Sequence, residues 1–417
     1  MPRRCLWFAI VALIPAVVHA EDWPQWRGPT RDGQYRGPSW PESLDEKSLV
    51  QAWRVELGPS YSGPIVCGKR VFTTETVKAD KERVTAYDRE SGEKLWQAEW
   101  KGSLIVPFFA WANGSWIRAT PACDGETLYV PGIRDLLVAL DVATGEERWR
   151  VDFVEKYKSP VPSFGFVASP LIDGEFIYVQ AAAAVVKLNK RTGAVEWREF
   201  KDEGGMNGSA FSSPVITTIG GVRQLVVQSR EKLAGLALAD GKVLWTQEVP
   251  AFRGMNIITP TIVDDLAFAS TYGGKTNGYR IINKSESADD PRFEVETAWT
   301  EPSQGYMSSP VIINGHAYVH LRNQRFACFD LAEGKRTWTT EPFGKYWSLA
   351  VRQDRILALD EKGELLLIAA DPKEFKLLSR RKISTDSAWA HIAVADGKVF
   401  VRELNALTVW NWKEVKE

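Results

Sequence analysis

Residues Ala139–Trp149 read "ALDVATGEERW", and the chain keeps returning to that phrase. Variants are "AYDRESGEKLW" (Ala86–Trp96), "KLNKRTGAVEW" (Lys187–Trp197), "ALADGKVLW" (Ala237–Trp245) and "CFDLAEGKRTW" (Cys328–Trp338). Each joins a short apolar run, an acidic or amide residue, a Gly-containing turn and a Trp. Self-similarity of this kind means one supersecondary unit stacked many times. Within the unit, Asp141 can accept hydrogen bonds from free backbone donors of a tight turn. Gly145 can supply the positive φ that other residues resist. Trp149 then falls on an outer strand, where it can pack against the next unit.

A second phrase precedes each copy: a small residue, often Ser, then Pro, an apolar strand, a turn and another strand. "SGPIVCGKRVFTT", "ATPACDGETLYVPG", "ASPLIDGEFIYVQ", "SSPVITTIGGVRQLVVQ", "TPTIVDDLAFAS" and "SSPVIINGHAYVH" carry it. "SLAVRQDRILALD" and "AHIAVADGKVFVR" are degenerate copies, giving eight. The prolines at 64, 121, 170, 214, 260 and 310 lie 44 to 57 residues apart, a spacing of solenoids and propellers. Val, Ile, Leu, Phe and Tyr dominate, with turn dipeptides such as Asp124-Gly125 and Asn314-Gly315, so each unit reads as four short strands. The third strands, "LLVAL", "LAGLAL" and "LLLIA", are apolar on both faces, as sheets stacked around an axis require. The expected fold is all-β: a single eight-bladed β-propeller of four-stranded antiparallel blades.

The last repeat ends near Ala406–Trp412 and lacks a fourth strand, whereas Gln51–Leu57 has no third strand before it. This N-terminal strand is expected to close blade eight, leaving no open edge. The propeller then occupies 51–417, preceded by an extended arm over 21–50 that is rich in Trp, Pro, Gly and Arg, laid over the ring or docking a partner. Blade five replaces its tight turn with a longer excursion (Asn283–Trp299), and blade seven lacks both Gly and Trp in "AADPKEFKLL". Trp53, Trp96, Trp149, Trp197, Trp245, Trp299 and Trp338 are assigned to docking blade on blade.

Residues 1–20 read as a secretory signal peptide: Arg3 and Arg4, an apolar run from Leu6 to Val18, and Val18-His19-Ala20 as cleavage site. The run is short and broken by Pro15, which argues against a membrane anchor. The chain is therefore expected in the periplasm or cell envelope, soluble after cleavage, with no transmembrane segment and as a monomer. Losing Arg3 and Arg4 takes the net charge from −1 to about −3, and no basic stripe is visible, so nucleic acid is not an expected partner. Cys67, Cys123 and Cys328 remain, an odd number. Cys67 and Cys123 hold similar places in adjacent repeats, which leaves a bridge open; small buried hydrophobes are the simpler expectation.

The pattern Ser-Pro-strand-turn-strand followed by "ALD-x-x-TG-x-x-x-W" resembles the repeat of pyrroloquinoline-quinone (PQQ) propellers, the quinoprotein alcohol dehydrogenase-like superfamily. The resemblance covers nearly all of 51–412. It implies the fold more strongly than an activity, because catalytic quinoproteins share the repeat with non-catalytic scaffolds, including the lipoprotein that assists outer-membrane β-barrel assembly. WD40 propellers match less well, since no Gly-His and Trp-Asp pair recurs.

Ligands of propellers sit at the channel mouth, so the loops before each Ser-Pro carry the candidate binding residues. These are Trp111, Asn113, Trp116 and Arg118; Met206 and Asn207; Met255 and Asn256; Tyr306 and Met307; Trp347; Trp389 and His391. Aromatics with a few amides, one Arg and one His suit a flat organic ligand, although stacked rings also plug a channel. A quinoprotein enzyme would need more. Calcium takes six to eight oxygens, yet Glu155, Asp202, Glu203, Glu301 and Asp386 share no spacing, and no two cysteines are adjacent. His316, His320 and His391 lack metal spacing, so no metal and no catalytic residue is assigned. The expected function is a non-catalytic binding or scaffold propeller with a protein or small-molecule partner. The alternatives are a PQQ- and calcium-dependent oxidoreductase and a carbohydrate- or polymer-binding propeller.

Overall fold

The structure, a computed structural model, describes residues 22–78, 80–202, 210–285 and 290–413. Among these, 32 strands form eight antiparallel four-stranded sheets, each in simple inner-to-outer order, arranged as the blades of one propeller. Blade 1 is Ile65–Cys67, Arg70–Val77, Lys81–Asp88 and Lys94–Lys101; the third strands, such as Leu136–Asp141, are buried on both faces. Blade 8 takes Ala393–Ala395, Lys398–Glu403 and Ala406–Trp412 from the end of the chain. Its outer strand, Leu49–Glu56, comes from the beginning, so closure is by pairing of the two ends.

The repeat phrase now has a physical account. In blade 2 the Asp141 carboxylate accepts the N–H groups of Ala143 (2.8 Å) and Thr144 (2.9 Å), and Gly145 turns at φ 77°. Asp141 also pairs with Arg148, which holds its pKa down to about 2. Opposite this turn the outer strand carries a bulge: Ala139 faces Trp149, but Leu140 faces Glu147. The same register shift precedes Trp96, Trp197, Trp245, Trp299 and Trp338. A bulge re-aims the side chain that follows it. Here it turns the indole N–H onto the next blade: Trp53 donates to Arg89 O, Trp96 to Val142 O, Trp149 to Lys190 O, Trp197 to Leu238 O, Trp299 to Leu331 O and Trp338 to Asp371 O, at 2.8–3.3 Å. Each acceptor stands in the next blade's turn.

The turn glycine has a second reason to be glycine. A Cβ on Gly92, Gly145, Gly193, Gly241 or Gly334 would come within 3.0 Å of the ring of Trp53, Trp96, Trp149, Trp197 or Trp299, respectively. The blade-five excursion removes this turn, and Trp245 bonds inside its own blade instead, to Gln224 Oε1 at 2.6 Å. In blade 7 the register shift falls before Ser379, where the other blades carry Trp. The Ser379 hydroxyl accepts Leu44 N–H (3.0 Å), and Trp40 and Leu44 join the core between blades 7 and 8. The segment before the ring thus fills the seam that has no indole of its own.

Cys67 and Cys123 are not separate small hydrophobes: they form a disulfide, Cα–Cα 6.6 Å, between blades 1 and 2. Each ends the inner strand of its repeat, so equivalent positions meet across one seam. Cys328 is free and buried.

Candidate functional site

The small residue before each repeat proline, Gly63 in blade 1 and Ser or Thr in blades 2 to 6, builds the axial channel. Gly63 N–H donates to Thr120 Oγ1, Thr120 N–H to Ser169 Oγ, Ser169 N–H to Ser213 Oγ, Ser213 N–H to Thr259 Oγ1 and Thr259 N–H to Ser309 Oγ, at 2.9–3.1 Å. Five links therefore run from blade 1 to blade 6. Proline has no N–H of its own to compete for these hydroxyls. The repeated small polar residue is a seam device as much as the repeated Trp.

Above this collar lies a cavity of about 370 Å³. Each of the eight loops leading into an inner strand gives it one aromatic ring: Tyr61, Phe109, Phe164, Phe211, Phe252, Tyr306, Tyr346 and Trp389, with Tyr272 added from blade 5. The rings touch in sequence. Tyr61 stacks on Trp389 (4.8 Å), which meets Tyr346 (4.2 Å); Tyr346 meets Tyr306 (5.7 Å), and Tyr306 meets Tyr272 (5.0 Å). Phe109, Phe164 and Phe211 form a second arc. The Arg253 guanidinium joins the arcs, 4.4 Å from the Phe109 ring and 5.2 Å from Phe252. Burial raises the pKa of Tyr61, Tyr306 and Tyr346, so their hydroxyls stay protonated.

The segment before the ring forms the floor. Trp23 bridges Val66 of blade 1, Pro24 O accepts Cys123 N–H of blade 2, and Tyr35 N–H donates to Val351 O of blade 7. Between them Trp26 lines the cavity, edge-on to His391 at 5.3 Å. Arg27 and Arg31 lie with their guanidiniums 5.4 and 5.3 Å from the Trp26 ring. Both are buried and are held by carbonyls: Arg31 donates to Pro170 O (2.6 Å) and Ser169 O (3.1 Å), and Arg27 to Pro310 O. Burial lowers Arg27 to about 10 and Arg31 to about 9, so both remain charged at neutral pH. His391 is pushed down to about 3 by burial and then by Arg27, and is neutral.

Of the residues expected at the mouth, Asn113, Arg118, Met255, Tyr306, Met307, Trp347, Trp389 and His391 line the cavity. Trp111 does not. The 3-10 turn Phe108–Asn113 points it outward, 64% exposed, with its N–H on Val106 O (2.9 Å). Trp116 folds back over Gly114. Asn256 is buried, and its amide donates to the carbonyls of Ser229, Arg230 and Val249, so it braces the loop. Met206 and Asn207 lie outside the described residues. Sequence reasoning missed Tyr61, Phe109, Phe164, Phe211 and Phe252, each of which precedes a Ser-Pro or Thr-Pro, or in blade 1 the Ser-Gly-Pro, in its loop. It also missed Trp26, which no repeat announces.

The cavity does not fit the calcium-bound quinone that the resemblance implies. Among the described residues, no Asp or Glu lines it, and none of Glu155, Asp202, Glu301 and Asp386 reaches it. No group of three His, Cys, Asp or Glu among them could hold a metal.

A family model described as outer membrane protein assembly factor BamB matches residues 80–340. The outer membrane protein assembly factor BamB of Yersinia pestis is 26% identical over 262 residues, 60% of this chain and 63% of that protein. The chain thus spans about three fifths of the length of that curated relative. The crystal structure of BamB from Moraxella catarrhalis superposes with a TM-score of 0.63 at 16% identity, covering 88% of this chain and 99% of that one. A europium-containing methanol dehydrogenase gives 0.55 at 11%, covering 94% and 98%. At these identities the two structures share the fold.

Proposed function

Because the chain belongs to the family described as outer membrane protein assembly factor BamB, we propose that it is a non-catalytic propeller of the cell envelope. In this reading it is exported by residues 1–20, acts as a monomer, and offers its loop face to a protein partner in outer-membrane protein assembly. The observation that carries this is the apolar rim. Phe109 and Phe252 are exposed in the cavity lining, and Ile105, Phe108 and Trp111, on or beside the 3-10 turn that carries Phe109, are exposed too, Phe108 at 76%. Large apolar side chains gathered at one place on a surface mark an interaction site. No helix among the described residues is long and apolar enough to cross a membrane.

The test is capture from native envelope. Wild-type protein should retain a partner that the Phe108→Ala and Trp111→Ala double variant loses, with unchanged thermal melting. Equal retention by both would end the reading. Turnover of alcohols or sugars with a reducible dye, after adding quinone and calcium, would end the non-catalytic part of it.

The cavity beneath the rim supports a second role: binding a small organic ligand in the aromatic belt. Its volume and its few convergent polar groups match the usual ligand pocket.

A further inference from the structure

We infer that the cavity is a metal-free site for a flat aromatic anion, and that the segment before the ring sets this charge preference from beneath the floor. This rests on reading the cavity as a ligand site. Four guanidiniums surround it. Arg118 and Arg253 line it, Arg118 lying over Tyr61 at 5.8 Å, while Arg27 and Arg31 sit under Trp26. Among the described residues, none of the four is within ion-pair distance of a carboxylate. Buried arginines are ordinarily matched by carboxylates, and here they are matched by carbonyls and ring faces.

Two further details point the same way. The Nε atoms of Arg31 and Arg118 are buried without a hydrogen-bond partner. The hydroxyls of the collar accept a neighbour's N–H, and each keeps its own proton to donate. The surroundings therefore offer donors and positive charge, with aromatic faces for stacking and, among the described residues, no acid in the lining. The carboxylate that acts on Arg27, Asp32, is already paired with Arg36 at 3.1 Å. Among the described lining residues a cation would find no counter-charge. An anion with an aromatic body would stack on the Tyr61, Trp389 and Tyr346 rings and be stabilised by the guanidiniums on either side.

Calorimetry on the full chain with three probes of one shape tests this: 2-naphthoate, 2-naphthalenemethanol and 2-naphthylmethylammonium. Naphthoate should bind at least about tenfold tighter than the alcohol, weaken with added salt, and be indifferent to EDTA. Arg253→Gln and Arg31→Gln should each reduce the preference for naphthoate over the alcohol several-fold. Arg253 is exposed, so that variant tests the idea even if the floor variant fails to fold. Equal or tighter binding of the alcohol or the ammonium, or loss of naphthoate binding in EDTA, overturns the anion inference while the ligand-site reading stands. If none of the three binds, both fall.

Discussion

Replacing Gly145 with alanine should cost the fold about 2–5 kcal/mol, and the packing part of that cost, about 1–3 kcal/mol, should vanish when Trp96 is absent. Two effects act at this position. The backbone is left-handed (φ 77°), which costs a residue with a Cβ about 1–2 kcal/mol. The new methyl would also come within 3.0 Å of the Trp96 ring, an overpacking of the kind that costs about 1–3 kcal/mol. Only the second effect depends on the indole. A double-mutant cycle separates them: wild type, Gly145→Ala, Trp96→Ala and the pair, each unfolded in urea and followed by far-ultraviolet circular dichroism. Trp96→Ala alone should destabilise by about 2–3 kcal/mol, since the ring is only half-buried. In its background Gly145→Ala should cost about 1–2 kcal/mol, giving a coupling of about 1–3 kcal/mol between residues of adjacent blades. Equal costs in both backgrounds, at matching m-values, would mean the glycine answers only to its own turn. The account of the seam would then be wrong.

Three other perturbations have defined outcomes. Reducing the Cys67–Cys123 bridge, or replacing both with Ser, should lower unfolding stability by up to about 4 kcal/mol, the chain-entropy value for residues 56 apart; a urea midpoint that ignores reductant would refute the bridge. Deleting Leu49–Glu56 should leave blade 8 with three strands and abolish cooperative unfolding, whereas a sharp transition in the shortened chain would show that closure lies elsewhere. Glu82 is buried in the seam between blades 1 and 2, where it accepts Ile133 N–H (2.8 Å) and Trp100 Nε1–H (2.6 Å). Burial raises its pKa to about 7, so the folded state holds a proton that the unfolded state releases near 4.5. Its contribution is full below about pH 4.5 and is lost as pH rises to about 7. His320 and His391, lowered to about 4 and about 3, act in the opposite sense up to about 6.5, so the comparison must be with Glu82→Gln at each pH. The stability of wild type relative to that variant should shrink from pH 5 to 8, and a gap that widens would reverse the assignment.

Much of the architecture was legible because it is periodic. The turn at Asp141–Gly145, the Trp that follows it and the unpaired strand before residue 57 each state a local requirement that recurs or is conspicuously missing. The double role of Gly145 was not legible, since nothing local says that the preceding blade's indole lies above it. The channel mouth was legible as a place, from the loops before Ser-Pro, and less so as a list of residues. Trp111 and Trp389 look alike in sequence. One is turned outward by a short 3-10 segment, and the other is fixed between Tyr61 and Tyr346. Asn256 looks like a ligand-facing amide and spends its donors on three carbonyls. Trp26, Arg27 and Arg31 carry no periodic signal, and their partners lie up to 283 residues away.

The floor also imposes an order of events on the polypeptide. Arg27 has its carbonyl on Pro310, Tyr35 bonds Val351, and Trp40 packs against Trp412. The segment that emerges early can therefore settle only after hundreds of later residues have taken their places. Until then two cationic side chains and three indoles wait without shelter. A chain built this way finishes folding from its beginning.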